Sequence, residues 1–174
     1  MQRMLSYIRK AVDDYNMIED GDKIAVGLSG GKDSITLLMG LKALQKFYEK
    51  KFEVVAIREG CNKIALGHNE DDVLETFMLN LLYTGSINTF APMSYMDRSK
   101  MTLIRPLIYA PEKSIKTFVK KQGIEIMPKC CPMDGVSKRE DMKNLIYSLQ
   151  KDIPNVKTNI YGAIKRSTIK GWRK

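Results

Sequence analysis

Ser29-Gly30-Gly31-Lys32-Asp33-Ser34 combines two glycines, a cation, a carboxylate and two hydroxyls in one short run. It falls between an apolar stretch, Lys23 to Leu28, and a helical pattern that begins near Ile35. In a strand-turn-helix setting, backbone N–H groups and the helix dipole converge on the turn, which makes it a natural phosphate site. Gly30 and Gly31 let the backbone come close to such a ligand. The run is not a Walker A loop, because the spacing from Gly27 is wrong and Asp33 follows Lys32 where a magnesium-binding Ser or Thr would stand.

A second run, Gly67 to Thr76 (GHNEDDVLET), follows another apolar stretch, Lys63 to Leu66. His68, Asp71, Asp72 and Glu75 are thereby expected at the same sheet edge as the first loop. Carboxylates there can hold Mg²⁺, a cation that takes oxygen ligands and bridges phosphates. Asp71 and Asp72 would also meet the helix dipole favourably, and the two roles are compatible. His68 is the single histidine; both a structural hydrogen bond and a part in the site are open to it. Cys61, Cys130 and Cys131 are an odd number with two adjacent, a poor disulfide framework that suits a reducing compartment.

The elements that must position these groups follow from periodicity. Met4, Leu5, Ile8, Val12, Tyr15 and Ile18 predict an amphipathic helix over 2–18. A strand over 23–28, a helix over 35–50 with Leu37, Leu38, Leu41, Leu44 and Phe47 inward, and a strand over 52–57 make a βαβ unit. Only Arg58, Glu59, Gly60, Cys61 and Asn62 then precede the strand over 63–66, whereas a parallel crossover needs about a dozen residues. Either these strands pair antiparallel or the sequence omits a segment between Ile57 and Arg58. We favour omission, with Gly60 capping the end of a lost helix. Further expectations are a helix over 71–83, a loop through Gly85 and Pro92, a strand over 101–104, a helix over 114–122, a strand over 124–127 and a helix over 139–150.

The chain has 174 residues, 44% of them apolar and 28% charged, enough for one ordinary core, so a single domain is expected over 1–152. Residues 153–174 read as a basic tail in which Tyr161 and Trp172 could stack on bases. The apolar runs fall far short of the roughly 18 residues of a membrane span, and no secretory signal opens the chain, so a cytoplasmic location is expected. A formal charge of +9 favours a polyanionic partner, with nucleic acid first.

Together with Ile104-Arg105-Pro106-Leu107, Glu112-Lys113 and Cys131-Pro132-Met133-Asp134-Gly135, the two runs resemble the tRNA 2-thiocytidine synthetase group of PP-loop ATP pyrophosphatases over nearly the whole chain. The resemblance implies an α/β fold of the adenine nucleotide alpha-hydrolase kind, a mainly parallel sheet flanked by helices. It implies a tRNA substrate whose cytosine C2 oxygen is adenylated by ATP, with loss of pyrophosphate, entry of sulfur and departure of AMP. It places Ser29 to Ser34 on the phosphates, Gly67 and His68 along the nucleotide, Lys32 on the developing pyrophosphate charge, and Asp33 and Asp72 on Mg²⁺. It also implies a [4Fe-4S] cluster on a C-x-x-C pair and a third cysteine matched by Cys131; the pair is absent, and its place falls in the gap after Ile57. The sulfur donor would be a cysteine desulfurase or sulfide, and a homodimer is left open. Alternatives are 2-thiouridine synthesis, against which the absence of terminal zinc-binding cysteine pairs argues; lysidine synthesis, whose enzymes lack the cluster cysteines and usually carry extra C-terminal domains; and a catalytically silent RNA-binding relative, against which the intact SGGKDS argues.

Overall fold

A computed structural model describes residues 1–55, 60–126 and 138–172. The described chain divides into two compact units, Met1–Asn69 with Pro92–Met127 and Glu70–Ala91 with Pro128–Lys174. The first is built on five strands: β1 (Asp22–Val26), β2 (Phe52–Val55), β3 (Lys63–Ala65), β4 (Met93–Met96) and β5 (Met101–Ile104), in the order β2-β1-β3-β5-β4. β1 is parallel to both β2 and β3, and β3 is parallel to β5. The antiparallel alternative for β2 and β3 is therefore overturned: they are not neighbours at all but flank β1. Only β4 runs antiparallel, at the edge.

This order creates a topological switch. The chain leaves β1 toward β2 on one side and returns as β3 on the other, so the loops after β1 and β3 diverge from a crevice at the strands' carboxyl ends. Gly27 N–H donates to the Ala65 carbonyl at 3.0 Å and ties the start of one loop to the end of β3.

Helix α1 (Gln2–Asp14) buries Met4, Ile8, Ala11 and Val12, one stripe at 3.6-residue spacing. It stops four residues before the predicted end, with Asn16 at φ 46 and Met17 N–H bonded back to Val12. Helix α2 (Lys32–Leu44) lies against α1, and Ile8 packs over Gly40, where a Cβ would collide with it. The helix starts earlier and ends sooner than periodicity predicts. Phe47, expected inward, is 56% exposed because the chain turns at Gln45, whose side chain donates to the Phe52 carbonyl. Leu28 lies beyond the end of β1 and is likewise exposed. Helix α4 (Glu112–Lys121) packs on α1 and α2 and closes with Gly123 at φ 63. Residues 124–126 form no strand, and Met127 lies outside the described residues. At the amino ends of the two central strands, β1 and β3, Lys63 Nζ is buried against Asp22 at 2.8 Å and the Met17 carbonyl at 3.1 Å.

The second unit is helical: α3 (Glu70–Leu79) runs into a π-helical turn (Asn80–Thr84) ended by Gly85 at φ 63, followed later by α5 (Lys138–Asp152) and α6 (Val156–Arg166). The expected basic tail thus contains a helix. Tyr161 and Trp172, proposed to stack on bases, are buried instead. Their rings meet edge-on at 5.5 Å, and Trp172 Nε1–H donates to the Phe90 carbonyl at 3.1 Å. An indole that buries nearly all its surface and satisfies its one donor is a core residue, not a platform.

Candidate nucleotide site

The SGGKDS turn takes its shape from its own hydroxyls. Ser34 Oγ donates to the Gly31 carbonyl at 3.0 Å and accepts from Ser29 N–H at 3.3 Å; the two serine oxygens lie 3.2 Å apart. Gly30 sits at φ 75, a left-handed conformation that glycine adopts without steric cost. Gly31 caps α2 with extended backbone and no side-chain partner for the first-turn N–H groups, leaving the positive end of the helix for an anion.

Gly67 supplies the wall behind the loop. A Cβ there would stand 3.1 Å from Asp33 C and Ser34 N, so the β3 loop can approach the first turn of α2 this closely only with glycine. Asn69, buried, donates from Nδ2 to Asp33 Oδ1 at 3.2 Å, while Lys32 Nζ lies 2.9 Å from Asp33 Oδ2. Lys32 also reaches Glu112 Oε1 at 3.1 Å, so one ammonium is clamped between two carboxylates from different elements. Burial works to lower the Lys32 pKa, but Asp33 and Glu112 outweigh it and the net shift is upward. Lys32 is therefore fully charged at neutral pH.

His68 meets a buried cation. Arg105 Nε–H donates to His68 Nδ1 at 3.2 Å, which assigns the proton of the neutral ring to Nε2. Burial lowers the Arg105 pKa from its ordinary value, and its backbone N–H holds the Pro92 carbonyl at 3.0 Å.

Of the predicted residues, Ser29, Gly30, Gly31, Lys32, Asp33, Ser34 and Gly67 come together in the first unit, with His68 on the same loop as Gly67. Asp72 belongs to α3 in the second unit. On that helix Lys157 Nζ pairs with Asp71 at 2.6 Å and Arg139 approaches Glu75 at 3.9 Å. Burial first, then Asp71, raises Glu70 to about 7 against the pull of Lys157. Burial and Asp72 do the same for Glu75, against Lys143 and Arg139. Cys130 and Cys131 lie outside the described residues. Sequence reasoning gave no role to Asn69, Arg105 or Glu112. Arg105 and Glu112 stood only inside matched motifs, and no local spacing ties them to a loop so far away in the chain.

A phosphate-ready loop at the switch point of a parallel sheet defines a nucleotide-binding domain of the PP-loop class, and a PP-loop domain model matches residues 48–129. Among curated proteins, the tRNA-cytidine(32) 2-sulfurtransferase of Geotalea uraniireducens is 31% identical, with 93% of this chain and 90% of that protein covered. Its counterpart in Dichelobacter nodosus is 30% identical, covering 95% and 86%. The chain belongs to the tRNA-cytidine(32) 2-sulfurtransferase family. Among solved structures, the U34-tRNA thiolase NcsA from Methanococcus maripaludis with its [4Fe-4S] cluster superimposes with a TM-score of 0.66 over 92% of this chain and 77% of that one, at 18% identity, a likeness of fold.

Proposed function

We propose that this chain is an ATP-dependent tRNA sulfurtransferase that converts a cytidine of the anticodon loop to 2-thiocytidine. The observation that carries the reading is the SGGKDS turn braced by Gly67 and Asn69 at the switch point, in a chain whose relatives are named for this activity. The turn and the α2 N-terminus bind the triphosphate, and the cytosine C2 oxygen attacks the α-phosphorus as pyrophosphate leaves. Sulfide then adds at C2, and AMP departs with the original oxygen; where the donor is a cysteine desulfurase persulfide, its terminal sulfur adds at C2 in the same way and a thiol reductant then cleaves the S–S bond, leaving as a disulfide with the donor cysteine. Lys32 stabilises charge as it builds on the pyrophosphate, an interaction stronger in the transition state than before it. Asp33, oriented by Asn69 and Lys32, would hold Mg²⁺ together with substrate phosphates, and Asp72 of α3 is a second candidate ligand on the family resemblance alone. Bound there, the ion would supply charge neutralisation to the phosphates.

The described residues do not fit an iron-sulfur cluster. They contain one cysteine, Cys61, and no group of three or more candidate metal ligands. We infer instead that a segment belongs between Ile57 and Arg58 and carries the missing C-x-x-C pair. Two observations support it: β2 and β3 are parallel on opposite sides of β1 with only a short link, and Gly60 has φ 74 as a helix cap would.

The test is incubation with tRNA, ATP and sulfide, reading nucleotides by chromatography and nucleosides by mass spectrometry. AMP with pyrophosphate and a thiolated cytidine are expected; thiolation of uridine alone would move the assignment to 2-thiouridine synthesis.

A further inference from the structure

We propose that the groove between α1 and α4 docks the phosphate backbone of the tRNA, an inference that rests on the substrate assigned above. Lys113, Thr117 and Lys121 follow at four-residue intervals on α4 and so share one exposed face. With Arg3 of α1 they line a cavity of about 330 Å³ floored by Met4 and Phe118, and no acidic residue lines it. Lys116 is set apart by its ion pair with Glu112 at 3.2 Å.

Three cations around one concavity repel each other unless an anion joins them. Lys113 also stands in the first turn of α4, the positive end of the helix dipole, where a cation is unfavourable. A local conflict of that kind is expected where function overrides stability. The row from Lys113 to Lys121 runs roughly 12 Å along the helix axis, longer than a single phosphate and suited to successive phosphates of a strand. Phe118 is 6% exposed and cannot stack on a base, so the groove offers charge without base recognition. Contacts of that type position a nucleic acid without reading its sequence. The row of cations begins at Lys113, the residue after Glu112, which is the partner of Lys32.

The test compares the full chain with Arg3→Gln/Lys113→Gln/Lys121→Gln and with a control of equal charge change, Lys42→Gln/Lys46→Gln/Lys51→Gln, at exposed positions away from the groove. Binding of labelled tRNA is titrated from low to moderate KCl, circular dichroism verifies folding, and ATP binding is measured alongside. The groove variant should bind tRNA about tenfold more weakly, with the slope of log K against log salt reduced by about 2 and ATP affinity unchanged. An affinity and slope equal to those of the control overturn the proposal, as does a loss of ATP affinity with tRNA binding intact. Failure of the unmodified chain to bind any tRNA would instead refute the substrate assignment beneath it.

Discussion

Lys32 carries the sharpest residue-scale expectation, because its ammonium is shared by Asp33 and Glu112 before any phosphate arrives. Replacing it by methionine keeps the length and removes the charge. Adenylation should then fall by about 10²- to 10³-fold with ATP binding affected far less, as for other groups that act on transition-state charge. Rapid-quench measurement of pyrophosphate release separates the two, and an unchanged rate would remove Lys32 from the mechanism. Arg105 is a positioning residue for His68, and the single histidine makes it easy to test. Nitrogen NMR should find the Nε2–H tautomer in the native chain and a tautomer mixture in Arg105→Gln; an Nδ1–H ring in the native chain contradicts the assigned bond. The lysine, aspartate and glycines of the loop were legible in sequence because their chemistry is local. Glu112 and Arg105 were not, since they join the site only through the start of α4 and the carboxyl end of β5.

At the scale of elements, the close approach of the β3 loop to α2 makes Gly67 the tightest constraint in the site. Gly67→Ala sets a Cβ against backbone atoms of Asp33 and Ser34 that cannot swing aside as a flexible side chain would. The loop must shift by a few tenths of an ångström, so we expect at least about a tenfold loss of turnover with the fold retained, checked by steady-state kinetics beside a thermal melt. Wild-type turnover would show that the loop tolerates displacement. The parallel βαβ pattern was readable because buried strands and an amphipathic helix leave distinct periodicities. β4 was not: as an edge strand with alternating partial exposure it lacks an apolar run, and only pairing with β5 defines it. Helix ends were misplaced where long-range bonds, such as Gln45 to Phe52, decide them. The predicted strand after Gly123 failed because a short apolar run forms a strand only where a sheet edge receives it.

For the whole molecule, charge shapes both stability and partners. Glu75 ordinarily titrates at 4.5 and is raised to about 7 in the folded chain. Below the lower value it is protonated in both states; between the two only the unfolded chain ionises, so stability falls as pH rises and the loss is complete above about 7. The loss is about 3 kcal/mol at most. Denaturant melts should therefore show Glu75→Gln gaining on the native chain from pH 5 to pH 8; a difference that shrinks with pH contradicts the shift. The excess of basic residues was plain in the sequence, and its reading as a polyanion partner agrees with the family. The fate of the tail was not plain, because Tyr161 and Trp172 look alike in sequence whether they face a base or each other. The central claim is that ATP is cleaved between its α and β phosphates to activate tRNA. The most direct test uses ATP labelled at the α-phosphorus with tRNA and sulfide, following the label while the tRNA is digested to nucleosides. Label is expected in AMP, with unlabelled pyrophosphate in equal amount and one thiolated cytidine per AMP formed; label in ADP, or AMP formed with no sulfur in the tRNA, would contradict cleavage and activation of this kind.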